Sequence, residues 1–201
     1  MSEGIFETIR VEDGQIFALH RHHCRAKEAA AAFCFEIPTE DYVKAATEEV
    51  ITKEDFPLAR IRLRFSRTGE LGIDYEPYEE PLIPAALMVF DRRNPDFKLR
   101  FKEYPYKNYE ILEIAKAQGF DDAILVAPDD QVAETSMATL ALKIDGQWIT
   151  PPLSAGILHG VVRSLCIESD LLKVRKVLAN ELFSVESALL LSSLRNAQNV
   201  G

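Results

Sequence analysis

Cysteine is scarce in this chain, which has only Cys24, Cys34 and Cys166 among its 201 residues. The number is odd and no C-x-x-C pair occurs, so neither a disulfide framework nor a zinc knuckle is expected, and reduced thiols fit a cytosolic enzyme. Long apolar runs are missing as well. None approaches the roughly 18 residues needed to span a bilayer, and the opening MSEGIFETIR lacks the charged-then-apolar pattern of a signal segment. A cytoplasmic location and no membrane partner are expected. Positive charge is in deficit, 23 Lys and Arg standing against 32 Asp and Glu for a formal net charge of −9. Neither nucleic acid nor an anionic membrane attracts such a surface, which excludes both as partners. The basic residues that do cluster, Arg60 to Arg67 and Lys98 to Lys107, are interleaved with apolar ones, the pattern of strands with one solvated face.

What is present is a composition of 47% hydrophobic and 27% charged residues, enough core for one or two small soluble domains. Gly4 to Val11 and Gln15 to Leu19 flank Glu12-Asp13-Gly14, and an Asp-Gly turn between β-type runs predicts a hairpin. His20-Arg-His-His-Cys-Arg25 and the alanine-rich stretch to Phe35 predict a helix, since alanine loses least on becoming helical. His20, His22, His23 and Cys24 do not read as a metal site, because adjacent positions on one helix point in different directions. Thr39 to Lys53 opens with Glu40 and Asp41 and spaces Val43, Ala46, Val50 and Ile51 as an amphipathic helix does. Leu58 to Ser66 alternates with period two, Ile61, Leu63 and Phe65 on one face and Arg60, Arg62 and Arg64 on the other. The arginines line a solvated face unless one of them reads a substrate carboxylate, and the sequence does not choose among them. Leu71 to Tyr75 and Ala85 to Phe90 are further strands. Glu76 to Pro84 is an exposed connection, and Asp91 to Pro105, broken by Asn94-Pro95 and Pro105, links two halves.

The second half is organised around Gln131 to Arg163, QVAETSMATLALKIDGQWITPPLSAGILHGVVR. It reads as a strand, a turn at Asp145-Gly146, a short strand with Trp148, a Pro-Pro break, and Gly156-Ile-Leu-His-Gly-Val-Val-Arg163 opening a helix. A helix start preceded by small residues leaves main-chain N–H groups free beside a positive partial charge, so an anion such as phosphate can dock there.

Glu134 at a strand end, the Asp-Gly turn, Thr150-Pro-Pro-Leu153 and the G-x-L-x-G-V-V-R run come in an order that resembles the class IV aminotransferase family. These are the fold type IV enzymes that use pyridoxal 5'-phosphate; they include branched-chain aminotransferase, D-amino acid aminotransferase and 4-amino-4-deoxychorismate lyase. The first half carries the resemblance too, in Phe6-Glu-Thr-Ile-Arg10 before a DG turn and in His22-x-x-Arg25. Lys107 with Leu112 fits the family's K-x-x-N-x-L ahead of a helix, here Ile111 to Gln118, with Glu110 where Asn is usual; Lys102 is its upstream rival.

The resemblance implies a role for each matching residue. Arg25 grips the cofactor phosphate with its planar donor fork. Lys107 is the catalytic residue that binds the cofactor's aldehyde and shuttles the substrate Cα proton. Glu134 pairs with the pyridine nitrogen and keeps it protonated, and Leu158 packs on the ring. The main-chain N–H groups of Val161 and Val162 hold the phosphate, and Ser193, within Leu191-Ser-Ser-Leu-Arg195, adds a hydroxyl, with Ser192 beside it. Departures stand at Thr139, where the family has Asn, at His159, where Pro is common, and at Val162, where it has Thr. The helix after Lys107 is about one turn short.

The expected architecture is therefore an α/β (α+β) chain of the two-domain, D-amino acid aminotransferase-like fold. An N-terminal α+β domain covers 1–100 and a C-terminal cofactor-binding domain 103–201, with the cofactor in the cleft between them. The resemblance implies a homodimer acting on an amino-acid-like small molecule, with no metal. Short length and the Leu191 to Arg195 ending favour the lyase, which releases pyruvate and 4-aminobenzoate. An amino-acid aminotransferase of branched-chain or D-amino acid type is the alternative within the family. A non-catalytic descendant that binds the cofactor or a partner is the alternative outside it.

Overall fold

A computed structural model describes residues 4–91, 101–104, 106, 108–127 and 129–201. In chain order its elements are β1 (Gly4–Glu12), β2 (Gln15–Ile16), α1 (Leu19–Ala32), α2 (Glu40–Ile51), β3 (Leu58–Ser66), β4 (Leu71–Pro77), β5 (Leu87–Asp91), β6 (Glu103–Tyr104), α3 (Asn108–Ala117), β7 (Asp122–Val126), β8 (Val132–Thr135), β9 (Thr139–Ile144), β10 (Gln147–Thr150), α4 (Val161–Glu168), β11 (Lys173–Val174), β12 (Ser187–Ser192) and β13 (Asn196–Asn199). They form two compact units, Met1–Glu80 with Phe101–Pro105, and Pro81–Arg100 with Tyr106–Gly201. Relative to the expected limits of 1–100 and 103–201, β5 goes with the second unit, because it pairs in parallel with β7. Among the described residues no helix is long and apolar enough to cross a membrane.

The first unit is one sheet in the order β2-β1-β3-β4, with β6 also on β1. The Asp-Gly hairpin forms as its chemistry demands, Asp13 and Gly14 both adopting positive φ, 46° and 74°, which matches the turn to the strand twist. β2 stops at Ile16, however. Leu19, read as strand, is the first residue of α1, where it packs on the unit's apolar core. β1 and β3 pair along their whole length, from Gly4 opposite Ser66 to Glu12 opposite Leu58. One face of this pair, carrying Ile5, Ile9, Val11, Ile61, Leu63 and Phe65, packs against Ala26, Ala29 and Ala30 of α1 and Val43 of α2. Period two puts Glu7 on that same apolar face.

The second unit holds two sheets, β11-β10-β9-β12-β13 and β5-β7-β8. The strand expected from Gln131 onward is broken by a bend. The Thr135 N–H closes it, donating to the Ala138 carbonyl at 2.9 Å while Thr135 Oγ1 accepts the Ala138 N–H at 3.0 Å, so β9 begins afresh at Thr139. α3 starts at Asn108, ahead of the expected Ile111, because the Tyr109 N–H reaches the Tyr106 carbonyl at 3.0 Å and closes a turn there. β9 and β12 are antiparallel neighbours with Thr139 opposite Leu191. The start of one strand and the end of the other therefore share one edge of the sheet. Val162, Cys166 and Ile167 of α4 pack on Ala141 and Leu191 of these strands.

Candidate active site

Glu134 sits in the four-residue strand β8 and is 3% exposed. A buried carboxylate is tolerated only when donors and charges compensate its lost hydration. The Leu158 main-chain N–H supplies one of these, donating to Glu134 Oε2 at 3.1 Å. Arg163, buried in the first turn of α4, is the nearby cation. Burial pulls the Arg163 pKa down, and the Glu134 charge pushes back the other way. The Arg163 guanidinium is held by a bond from Nη2 to the Pro151 carbonyl at 2.9 Å, while Nε has no hydrogen-bond partner among the described residues.

The run before α4 does not start the helix at Gly156. Leu153–Ala155 make a short 3-10 turn that Gly156 ends at φ 80°, and α4 opens only at Val161, after Gly160. No side chain caps it, and its first internal bond joins the Ser164 N–H to the Gly160 carbonyl at 3.0 Å. The N–H groups of Val161 and Val162 thus lack an intrahelical acceptor. A Cβ on Gly160 would lie 2.8 Å from Thr139 Oγ1, so a side chain there would force Thr139 to shift. Main chain, not side chain, therefore lines the approach to these donors. Leu158 is half-buried just upstream and His159 is exposed.

Beyond β12 the Ser192 hydroxyl accepts the Arg195 N–H at 3.1 Å and closes the turn. Ser193, next to it, is buried and takes no part in that bond. The structure thus brings Glu134, Leu158, Val161, Val162 and Ser193 into one unit, with Thr139 joining the α4 start to the end of β12. Lys107 lies outside the described residues. Its rival Lys102 belongs to the first unit, with Nζ 5.4 Å from the Phe6 ring centroid.

Arg25 is also in the first unit, on α1, and its surroundings were not legible as a motif. Its Nε donates to Glu7 Oε1 at 2.9 Å, and its Nη2 bonds the other carboxylate oxygen. His22 Nδ1 shares Glu7 Oε2 at 2.7 Å. Burial alone would raise the Glu7 pKa, but the Arg25 charge and the bonds from His22 and Arg25 outweigh it and hold the carboxyl well below its ordinary range. For His22 burial dominates and depresses the pKa, against the pull of Glu7. The other histidines part company, His23 Nε2 bonding the Pro38 carbonyl at 2.9 Å and His20 Nδ1 meeting Glu40 at 2.8 Å. Among the described residues no group of three or more His, Cys, Asp or Glu could hold a metal ion.

The three arginines of β3 separate clearly in the structure. Arg60 pairs with Glu76, and Arg64 with Asp74 at 2.7 Å. Arg62 lies 5.3 Å from the Phe6 ring centroid and has no ion pair among the described residues. Besides the Glu7 pair and Arg163, sequence reading missed a buried polar network around Asp122 and Asn108. The one signal for Glu7 was its place between Ile5 and Ile9 in the β1 alternation.

Comparison with known proteins bears on the chain as a whole. A family model described as "Amino-transferase class IV" matches residues 4–201. A Schizosaccharomyces pombe protein named "Putative aminodeoxychorismate lyase" is 27% identical over 175 residues, 82% of this chain and 73% of that protein. A Methanocaldococcus jannaschii protein named "Putative branched-chain-amino-acid aminotransferase" is 29% identical over 186 residues, 83% of this chain and 65% of that protein. The chain thus spans only part of either relative's length. The solved structure of "A hypothetical aminotransferase from Mycobacterium tuberculosis, PLP-bound form" superposes with a TM-score of 0.83 at 23% identity, covering 98% of this chain and 80% of that one.

Proposed function

The chain belongs to the class IV aminotransferase family, matched over residues 4–201, and from that premise we propose that it is a 4-amino-4-deoxychorismate lyase, releasing pyruvate and 4-aminobenzoate. Family membership makes it a pyridoxal-phosphate enzyme acting on small molecules, and its α/β architecture is that of the fold type IV transaminases.

The residues present fit that cofactor. The uncapped start of α4 offers the Val161 and Val162 N–H groups to a phosphate, and the contact between Gly160 and Thr139 keeps that approach free of a side chain. Ser193 stands at the neighbouring end of β12 to add a hydroxyl. Glu134, its carboxylate held by the Leu158 N–H, would keep a proton on the ring nitrogen, and the Leu158 side chain would pack on the ring. The cofactor supplies an electron sink for charge developing at the substrate carbon that bears the amine. Lys107 takes the proton from that carbon as general base and returns it as general acid. In the lyase reaction the bond from the substrate ring to the enolpyruvyl oxygen breaks as the proton leaves. The ring becomes aromatic, and the proton goes to the enolpyruvate, released as pyruvate.

The observation that carries the chemistry is the buried Glu134 carboxylate fixed by the main chain next to an uncapped helix start. The similarity over 82% of the chain to a protein named as a lyase supports that branch. The similarity to one named as an aminotransferase supports the second reading, amine transfer to a keto acid. Purified protein loaded with cofactor and given aminodeoxychorismate decides between them. Pyruvate formation that Lys107→Ala abolishes supports the lyase; amine transfer that depends on an added keto acid, without pyruvate release, replaces it with the aminotransferase. A homodimer and a cytoplasmic setting belong to the same proposal, and light scattering on the purified protein tests the first.

A further inference from the structure

Asn108 is the first residue of α3 and is 1% exposed. An asparagine at a helix start commonly turns its oxygen onto the helix's own N–H groups. This one faces elsewhere. Its Nδ2 donates to Tyr106 Oη at 3.1 Å and to the Ser136 carbonyl at 3.2 Å. Burying an amide is costly unless it is bonded, so both bonds are needed to keep it there.

The Ser136 end is itself anchored. Asp122, fully buried at the start of β7, accepts the Ser136 N–H at 3.0 Å, the Ser136 hydroxyl, the Thr135 hydroxyl at 2.8 Å and the Ala123 N–H at 2.7 Å. Thr135 and Ser136 directly follow Glu134. Asn108 directly follows Lys107, and Tyr106 directly precedes it. One buried side-chain bond therefore ties the residue after the proposed catalytic lysine to the bend that directly follows the proposed partner of the ring nitrogen. Those two groups act on the same small ring, where a misplacement of about 1 Å costs about a hundredfold in rate.

We propose that Asn108 is a positioning residue for the segment that carries Lys107, with Tyr106 and the Asp122-held bend as its two supports. The inference rests on Lys107 being the cofactor-linked lysine. The test uses whole protein loaded with pyridoxal phosphate, in wild type, Asn108→Ala and Tyr106→Phe. Borohydride fixes the lysine linkage, and mass spectrometry gives the linked residue and the linked fraction. Equilibrium dialysis gives total cofactor affinity, and melting reports the fold. In wild type the label falls on Lys107. Asn108→Ala lowers the linked fraction about tenfold and shifts the pH midpoint of the cofactor's absorbance band, while total affinity changes no more than about threefold because the phosphate contacts remain. Tyr106→Phe, which keeps the Ser136 bond, gives a smaller loss of linkage and still reads the effect if Asn108→Ala fails to fold. Linkage at Lys107 unchanged in both variants overturns the role of Asn108 and leaves the lysine in place. A lowered melting temperature with an unchanged linked fraction marks Asn108 as purely structural and overturns it too. Label on another lysine of the wild type, such as Lys102, overturns the lysine reading and this inference together.

Discussion

Glu7→Gln is the substitution that most directly tests the buried charge cluster under α1. The carboxylate is 2% exposed and the Arg25 side chain that grips it is nearly as deep. Solvent screening, which reduces a surface pair to about 0–1 kcal/mol, therefore does not apply. The amide keeps an acceptor oxygen and the side-chain shape but loses the charge, leaving Arg25 buried beside a neutral partner. Breaking a buried pair from one side costs about 3–5 kcal/mol. For a chain of this size each kcal/mol lowers the melting temperature by about 2–4 °C, so the drop should be about 6–20 °C. Far-UV circular dichroism on cofactor-free protein measures it, with urea midpoints as a check. The companion Glu7→Leu with Arg25→Met removes both charges and, being apolar in an apolar setting, should recover most of the loss. A single variant within about 1 kcal/mol of wild type, or a double variant no better than the single, would show that the pair is not what the fold leans on.

The same cluster predicts the acid response of the fold. Burial depresses the His22 pKa, while the Arg25 charge and the bonds from His22 and Arg25 together outweigh burial and depress that of Glu7. Each group then contributes stability that is full above its unfolded pKa and is lost as pH falls, first below about 6.5 for His22 and then below about 4.3 for Glu7; urea midpoints that rise between pH 7 and 5 would contradict this. Gly160→Ala sets a methyl 2.8 Å from Thr139 Oγ1 and should weaken pyridoxal-phosphate binding by at least about tenfold, a cost typical of overpacking. Adding Thr139→Ala should restore it, since Thr139 Cβ is 3.8 Å away, and equilibrium dialysis that shows no recovery rejects the steric account. Arg62→Ala should raise KM for a carboxylate-bearing substrate about tenfold or more, as expected for a lost charged hydrogen bond. Arg60→Ala and Arg64→Ala, whose partners are Glu76 and Asp74, should leave KM within about threefold, and equal effects from all three would remove Arg62 from substrate binding.

The elements that sequence could fix are those whose signal is local. The Asp13-Gly14 turn and the period-two run Leu58 to Ser66 carry their structure in adjacent residues, and both form as read. Boundaries decided by distant partners were less legible. Nothing near Leu19 says that its side chain will pack as a helical residue, and nothing near Ile111 says that Tyr109 will close a turn onto Tyr106. The buried polar contacts were invisible for the same reason. Glu7 meets His22 and Arg25 from another element, and Asn108 meets Ser136 across 28 positions of chain. Such pairs leave no periodic mark. For Glu7, the only trace was a charge standing where alternation called for an apolar side chain.

The departures from the family pattern at Thr139 and Val162 become understandable once the α4 start is seen as a main-chain device. Val162 packs on Ala141 and Leu191 as an apolar side chain, so its isosteric difference from Thr removes a hydroxyl and keeps the N–H. Thr139 answers a packing demand: its Oγ1 closes the space that any side chain at 160 would need, and its register opposite Leu191 ties that closure to the strand that ends at Ser192. Both substitutions thus alter side chains where the donors are backbone. The same logic does not extend to Glu134, whose carboxylate is itself the group proposed to act. On the proposed function a change there would remove the charge meant for a ring nitrogen, which no rearrangement of α4 replaces. Tolerance to substitution should therefore fall sharply from Val162 and Thr139 to Glu134, because only the last presents its chemistry through the side chain.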